Sequence, residues 1–497
     1  LAEALTNAAR GADAAAVYLE AAGDGASNRA LDLRRRAAEQ LVFSGRIDEG
    51  TATFESVLEA VGVAMPRSRG VILLWLLFFS LWIKLRKFRY TPRRQDDVDP
   101  RALLRLDCLG SAGAGLGMTD HVRGRELQTR ALVEALAVGE RSRLARAMAY
   151  YGFTLASAGP SAFEPAMRLQ EKVESIAQDL KDPYLEALGG GVAAFAYYLS
   201  GQMAKAREPF ERAEITLRDR CIGVTYELAS ARMILYRTLV YLGELPELAR
   251  VVDPALREAE QKGDLYTIVN LRTNCTPVLA LARDDVAAAQ RELDLVVPHL
   301  PKRGFHVQHA LHYAVQGWVW LYAGEPARAR ESLAGVWREM KRSMVLRIQT
   351  TRVALQDIRA RACLALLIAG TADAPAIRRE AEHFVRLQER EGVPWATAHA
   401  KVLRGCLAAL DEARSEAVAH LGAAEEGFGE LKLALLATAA RRARGVVMGG
   451  EEGRAVVAGA EEAMGKMGVK EPGRMMASLA PVGERAGGGG GETAPLR

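Results

Sequence analysis

Apolar residues along this chain return at intervals of three and four, the pattern of helices that each bury one stripe. Leu185, Leu188, Val192, Phe195 and Leu199 make one stripe, and Met203, Ala206, Phe210, Ala213 and Leu217 make the next, with a turn at Gly201 between them. From that turn a small residue follows at plus five (Ala206), a large apolar one at plus nine (Phe210) and a small one at plus twelve (Ala213). The same order recurs at Gly243 (Leu245, Leu248, Val252, Ala255), Asp284 (Val286, Ala289, Leu293) and Gly324 (Ala329, Leu333, Val336, Met340). Fainter copies lie near Gly159, Gly370 and Glu412, an earlier one near Thr119, and an N-terminal one at Gly45 with Phe54 and Leu58. From Thr119 onward the turns stand 40, 42, 42, 41, 40, 46 and 42 residues apart.

This spacing predicts an all-α chain, a superhelical array (α-solenoid) of helix pairs with a period of about 40 residues. Each unit needs two helices of about 16 residues, each ~25 Å long, and two short loops. A hairpin of that size cannot bury its stripe alone, so neighbouring units must stack. The small residue at plus five is expected where two helices cross closely. The order of small residue, Ala, large apolar residue and Ala resembles the tetratricopeptide repeat. It departs from that family's ~34-residue period and lacks its regular Pro at the unit end.

The pattern divides the chain into N-terminal hairpins over 1–64, an insert over 65–100, the main array over 101–445, short C-terminal helices over 446–483 and a flexible Gly-rich tail over 484–497. The insert carries the most hydrophobic run, Val71 to Ile83, followed by Lys84, Arg86, Lys87, Arg89, Arg93 and Arg94. Thirteen residues of helix reach only ~20 Å, short of the ~30 Å hydrocarbon core. The run therefore reads first as a buried helix. Its second reading is a helix lying in the membrane interface through Trp75, Phe78, Phe79, Trp82, Lys84, Arg86 and Lys87.

Composition supports a folded helical chain. Apolar residues make up 49%, charged residues of mixed sign 26% and aromatics only 6%. A net charge of +5 over 497 residues is too small and too dispersed to suggest nucleic acid as a partner. Cys108, Cys221, Cys275, Cys363 and Cys406 are scattered without a C-x-x-C pair, which fits a reducing cytoplasm better than a zinc or disulfide framework. No secretory leader is visible, and the start at Leu1 in place of Met suggests a piece of a longer polypeptide.

No catalytic constellation assembles from these residues. Gly113, Gly115 and Gly117 do not form a dinucleotide fingerprint, and Gly459 to Met467 has the wrong glycine spacing for a phosphate loop, with Met467 where Ser or Thr must hold Mg²⁺. His306, His309 and His312 fan over about 120° of helix without a nearby carboxylate, so they read as a helix start and not as a metal site. Arg218-Asp219-Arg220 lacks the surroundings of a kinase catalytic loop.

Several stretches resemble the C-terminal helical region of large bacterial signalling proteins. They are Arg36 to Leu41, Gly45 to Gly50, Tyr241 to Leu245, Gly263 to Tyr266 with Asn270 to Arg272, Gly304 to His309, and Gly468 to Met475. In that group a serine/threonine protein kinase is followed by an AAA-type ATPase module and then by this array. The resemblance implies a parent protein that binds ATP and Mg²⁺ and phosphorylates partner proteins, with no cofactor held by these 497 residues. The expectation is a non-catalytic sensing or scaffolding arm that binds a protein or peptide. The alternatives are a small-ligand effector module and a membrane-tethered scaffold. Phe305, His306, His309, Tyr313, Trp318 and Trp320 are the candidate surface for a partner or ligand.

Overall fold

The computed structural model describes residues 1–66, 68–117, 120–302 and 304–483. The chain opens with α1 (Ala2–Asn7), α2 (Gly11–Ala22), α3 (Asn28–Phe43), α4 (Ile47–Ala60) and α5 (Arg69–Arg86). Next come α6 (Pro100–Gly117), α7 (His121–Val138), α8 (Arg141–Ala156), α9 (Phe163–Leu180), α10 (Pro183–Leu199) and α11 (Met203–Arg220). The middle holds α12 (Thr225–Leu242), α13 (Leu245–Lys262), α14 (Leu265–Asn274), α15 (Thr276–Ala282), α16 (Val286–Val296), α17 (Val307–Tyr322) and α18 (Pro326–Ser343). The last are α19 (Gln349–Ala369), α20 (Ala374–Glu389), α21 (Pro394–Leu410), α22 (Arg414–Glu430), α23 (Ala434–Met448), α24 (Gly450–Lys466) and α25 (Pro472–Leu479). Among the described residues there is no β-strand, only an isolated bridge between Arg93 and Glu140. The fold is the all-α helical-repeat array that the spacing predicts.

Local chemistry explains where the helices start and stop. Aspartates cap several of them: Asp120 accepts from the backbone of Val122 and Arg123 at 3.1 Å, Asp182 from Tyr184 at 2.9 Å and Asp285 from Ala288 at 2.8 Å. α14 and α15 are one helix interrupted at Cys275, because Pro277 has no N–H to continue the ladder. The predicted turn residues Gly45, Gly159, Gly201, Gly243, Asp284, Gly324, Gly370 and Glu412 all have positive φ, between 59° and 108°. Each reverses the chain between the two helices of a unit.

The plus-five positions Ala206, Leu248, Ala289, Ala329 and Ala417 have no exposed surface, and the plus-nine positions Phe210, Val252, Leu293, Leu333 and Leu421 are at most 2% exposed. The repeat grammar is therefore the packing grammar. One cluster of buried side chains runs from Ile83 to Ala480.

The array does not stop at residue 445, which falls inside α23. α24 is 17 residues long and packs along α23 as other second helices pack along their partners, so the expected short C-terminal helices include the second helix of a further hairpin. The glycines that made this stretch look different, Gly445 and Gly453, sit where the two helices cross. A Cβ on Gly445 would stand 2.9 Å from the Gly453 carbonyl. The predicted turn at Thr119 and the tail 484–497 lie outside the described residues.

Counting hairpins from α3–α4, contacts recur between units five apart. The turn at Gly45 lies on Leu265 at the start of α14, and that at Gly201 lies under Trp395 at the start of α21. Gly243 lies beside Leu435 at the start of α23, and Asp284 accepts from Arg474 of α25 at 2.8 Å. The backbone of Lys470 donates to the Ala282 carbonyl at 2.8 Å, and Phe43 stacks on Tyr226 of α12, four units on, with centroids 3.9 Å apart. The superhelix thus has about five units per turn, and its successive turns touch.

Candidate functional site

With the turns in contact, the first helices of successive units wall an axial cavity of about 680 Å³. Its wall is formed by α8 (Tyr150, Phe153), α10 (Phe195, Tyr198), α12, α14 (Tyr266, Asn270), α17 (Leu311), the start of α19 and parts of α5 to α7. α12 turns a stripe of Tyr226, Ser230, Ile234 and Arg237 inward, at steps of four, four and three. Phe153 and Phe195 meet edge to face with centroids 5.7 Å apart. The volume lies in the ~300–1,000 Å³ range of sites that enclose small ligands.

Three arginines, Arg125, Arg237 and Arg347, line this cavity, and none forms an ion pair among the described residues. Among the described residues Glu227 is the one carboxyl of the wall, and it is satisfied separately. Its Oε1 accepts from the hydroxyls of Tyr184 at 2.8 Å and Tyr150 at 3.0 Å. Burial raises the Glu227 carboxyl above its ordinary range, and these two hydroxyls offset part of the rise.

The insert helix α5 is only half buried, which corrects its first reading. Ile72, Leu76 and Ile83 are buried, and α5 packs along α7. Ile72 and Leu76 also cluster with Val122 and with Met344 from the α18–α19 connection. Leu73, Leu77 and Ser80 lie on the cavity wall. A third face, Val71, Leu74, Phe78, Leu81 and Leu85, points outward with exposures of 40, 64, 62, 58 and 75%. These residues follow each other at three, four, three and four, so they form one continuous apolar stripe.

Of the residues expected at a membrane, Phe78, Lys84 and Lys87 are exposed. Trp75 and Phe79 face inward, with the Arg130 guanidinium 4.6 Å above the Trp75 ring. Trp82 is half buried beneath Arg86, which donates to the carbonyls of Arg89 and Leu136. The aromatic residues drew the sequence reading, while the exposed stripe is mostly Leu. No acidic residue occurs between Glu59 and Asp96. Among the described residues no helix is long and apolar enough to cross a membrane.

The six residues expected as a partner or ligand surface do not line the axial cavity. Phe305 stacks on His309 at 5.1 Å and lies parallel to Tyr313 at 6.2 Å, at the start of α17. The backbone N–H of His306 donates to Nδ1 of His309 at 3.1 Å, closing a cap on that helix. Trp318 donates from its indole nitrogen to Ser478 of α25 at 3.0 Å, and Trp320 lies under Arg328 at 5.1 Å. These aromatics bind helices to one another. Among the described residues no group of three His, Cys, Asp or Glu is placed to hold a metal ion.

Burial, then the neighbouring His306 and His312, push His309 down to about 4. The unfolded chain therefore takes up a proton between about pH 6.5 and 4 that the folded chain refuses, so stability falls as pH falls through this window. In His309→Gln the fall in melting temperature from about pH 7.5 to 5 should be smaller than in the parent. An unchanged fall would show that His309 is not held neutral by its surroundings.

The remaining sequence motifs have packing roles. Gly113, Gly115 and Gly117 belong to α6, where a Cβ on Gly113 would stand 2.9 Å from Gln128 and one on Gly115 3.0 Å from Phe54. Gly459 and Lys466 belong to α24, where Lys466 pairs with Glu462 at 2.7 Å. Burial pushes the thiols of Cys108, Cys275, Cys363 and Cys406 up to about 12, so none is a thiolate at neutral pH. No protein-family model matches this chain, and no curated protein matches it.

Proposed function

We propose that the chain is a non-catalytic binding and regulatory array whose ligand site is the axial cavity. The observation that carries this reading is that helices of seven consecutive units contribute to one cavity wall. A ligand there touches many unit junctions at once, and its differential affinity would bias the winding of the whole array. A cavity of about 680 Å³ suits a small ligand better than an extended peptide, so the small ligand is preferred over the expected peptide partner. The outer surface would then relay the change to attached kinase and ATPase modules, as the resemblance implies.

The test is a thermal-shift screen of metabolites on the parent and on Ile234→Trp, which fills the cavity. A ligand at a hundred times its Kd should add about 2.7 kcal/mol to the parent and nothing to the variant. If no compound stabilises the parent, or if the variant responds equally, the cavity is not a ligand site.

A second reading, a membrane-associated scaffold, is favoured by the outward stripe of α5. Its apolar side chains, with the exposed cations Lys84, Lys87, Arg89, Arg93 and Arg94 beside them, match an anionic bilayer surface. The chain should float with vesicles rich in phosphatidylserine at low salt, and Phe78→Glu should abolish flotation. Equal flotation of parent and variant would exclude α5 as the contact.

A further inference from the structure

The axial cavity combines an apolar wall with cations that lack counter-ions, and this pairing specifies a ligand class. Arg125 on α7 and Arg347 in the connection before α19 both line the cavity, and both are exposed to solvent. Neither forms an ion pair among the described residues, although arginines elsewhere in the array are mostly paired. Glu227 is held by two tyrosines, and the groups that act on Arg125 are Tyr151 and Arg347, not this carboxyl.

Arg125 and Arg347 are near enough on this half-open cavity for one cation to act on the other, and an anion placed between them would relieve that repulsion. Burial holds Arg125 below arginine's ordinary value, and the nearby Arg347 cation adds to that, with Tyr151 acting in the opposite direction. Arginine pairs of this kind suit a planar carboxylate or a phosphate, which accepts several N–H donors at once. Most of the remaining wall surface is apolar, with Phe153, Phe195 and Ile234 offering contact to a hydrocarbon, and hydroxyl and amide side chains such as Ser230 and Asn270 are interspersed.

We propose that the axial cavity binds an anionic amphiphile, an acyl chain ending in a carboxylate or a phosphate, with its head between Arg125 and Arg347 and its chain along Phe153, Phe195 and Ile234. This rests on the ligand-site reading above and adds the chemistry of the ligand. The head neutralises two like charges while the chain fills apolar space, so both halves of the molecule are needed for affinity.

Calorimetric titration of the full chain with palmitate, lysophosphatidate, cetyl alcohol and inorganic phosphate tests it. One palmitate or one lysophosphatidate should bind per chain, and the stronger of the two identifies the head group. Cetyl alcohol and inorganic phosphate should each bind at least ~10-fold more weakly. Arg347→Gln and Arg125→Gln should each weaken the amphiphile by about 10-fold or more, the loss of a charge-assisted hydrogen bond, with circular dichroism and melting unchanged. Arg347→Lys should recover part of the loss. Phe78→Glu, on the outer face of α5, should bind as the parent does, which separates the cavity from the exposed stripe.

If cetyl alcohol binds as tightly as palmitate and both arginine variants are neutral, the anionic assignment is overturned while the cavity remains a ligand site. If no amphiphile binds at all, the proposal is also overturned. The broader reading is then decided separately by whether any metabolite stabilises the parent but not Ile234→Trp.

Discussion

Asp357→Ala should destabilise the protein by roughly 3–5 kcal/mol, the loss that follows when one partner of a buried ion pair is removed. Asp357 is 3% exposed on α19, and its carboxylate is 2.6 Å from the Arg361 guanidinium and 3.1 Å from Nδ1 of His399 on α21. Arg361 also donates to the Ser478 carbonyl of α25 at 2.7 Å, so the cluster joins three helices. Without the carboxylate, Arg361 is left as a buried cation in surroundings too dry to hydrate it. Asp357→Asn should cost less, because the amide still accepts a hydrogen bond.

The effect has a defined pH dependence. Burial alone would raise the Asp357 carboxyl, but the Arg361 cation and His399 outweigh it and hold the group below the ordinary carboxylate range. Its folded value is depressed, so its stabilisation is present above about pH 4 and is lost as pH falls through the lower folded value. Urea unfolding at about pH 7 and in mild acid reads both. A loss below ~1 kcal/mol at neutral pH would mean that the pair is hydrated.

Gly201→Ala carries the second large expectation, about 2–5 kcal/mol. Gly201 has φ of 81°, a conformation that costs a side-chain-bearing residue roughly 1–2 kcal/mol. A Cβ there would also overlap the Trp395 indole, and overpacking adds ~1–3 kcal/mol. Trp395 is 1% exposed and meets Tyr241 edge-on at 6.4 Å, so it has no free space into which to move. Gly324→Ala is the matched control. Its φ of 79° is nearly the same, but nothing lies within 4 Å of its Cβ position, so only the backbone part should be lost. Equal melting temperatures for the two variants would contradict the contact between turns.

Sequence periodicity made the array legible because the signal is local. A turn residue, Ala206 and Phe210 lie within one helix pair, and each position means the same thing in every unit. Contacts such as Gly201 with Trp395 were not legible. They depend on the small rotations between units adding up over five of them, and no residue type announces that sum. The α5 run was legible as a helix but not in its orientation, since Leu73, Leu76 and Leu81 have the same side chain and face three different surroundings. The cavity arginines were invisible for a related reason. Arg125 and Arg347 belong to distant units, and each looks like an ordinary surface residue until the winding brings them to one wall. The aromatics around Phe305 attracted notice through local density, and their packing onto Ser478, Arg328 and one another explains that density without a ligand.

The contacts between units five apart also set what kind of motion the molecule can make. An open helical-repeat array behaves as a soft spring, because each junction yields separately. Here the coils already rest on one another at Gly201 with Trp395, Gly243 with Leu435, and Asp284 with Arg474, as in a spring at its solid length. Such a spring cannot shorten. Any lengthwise signal has to begin by parting these seams, and a molecule wedged on the axis is well placed to hold them shut or force them open.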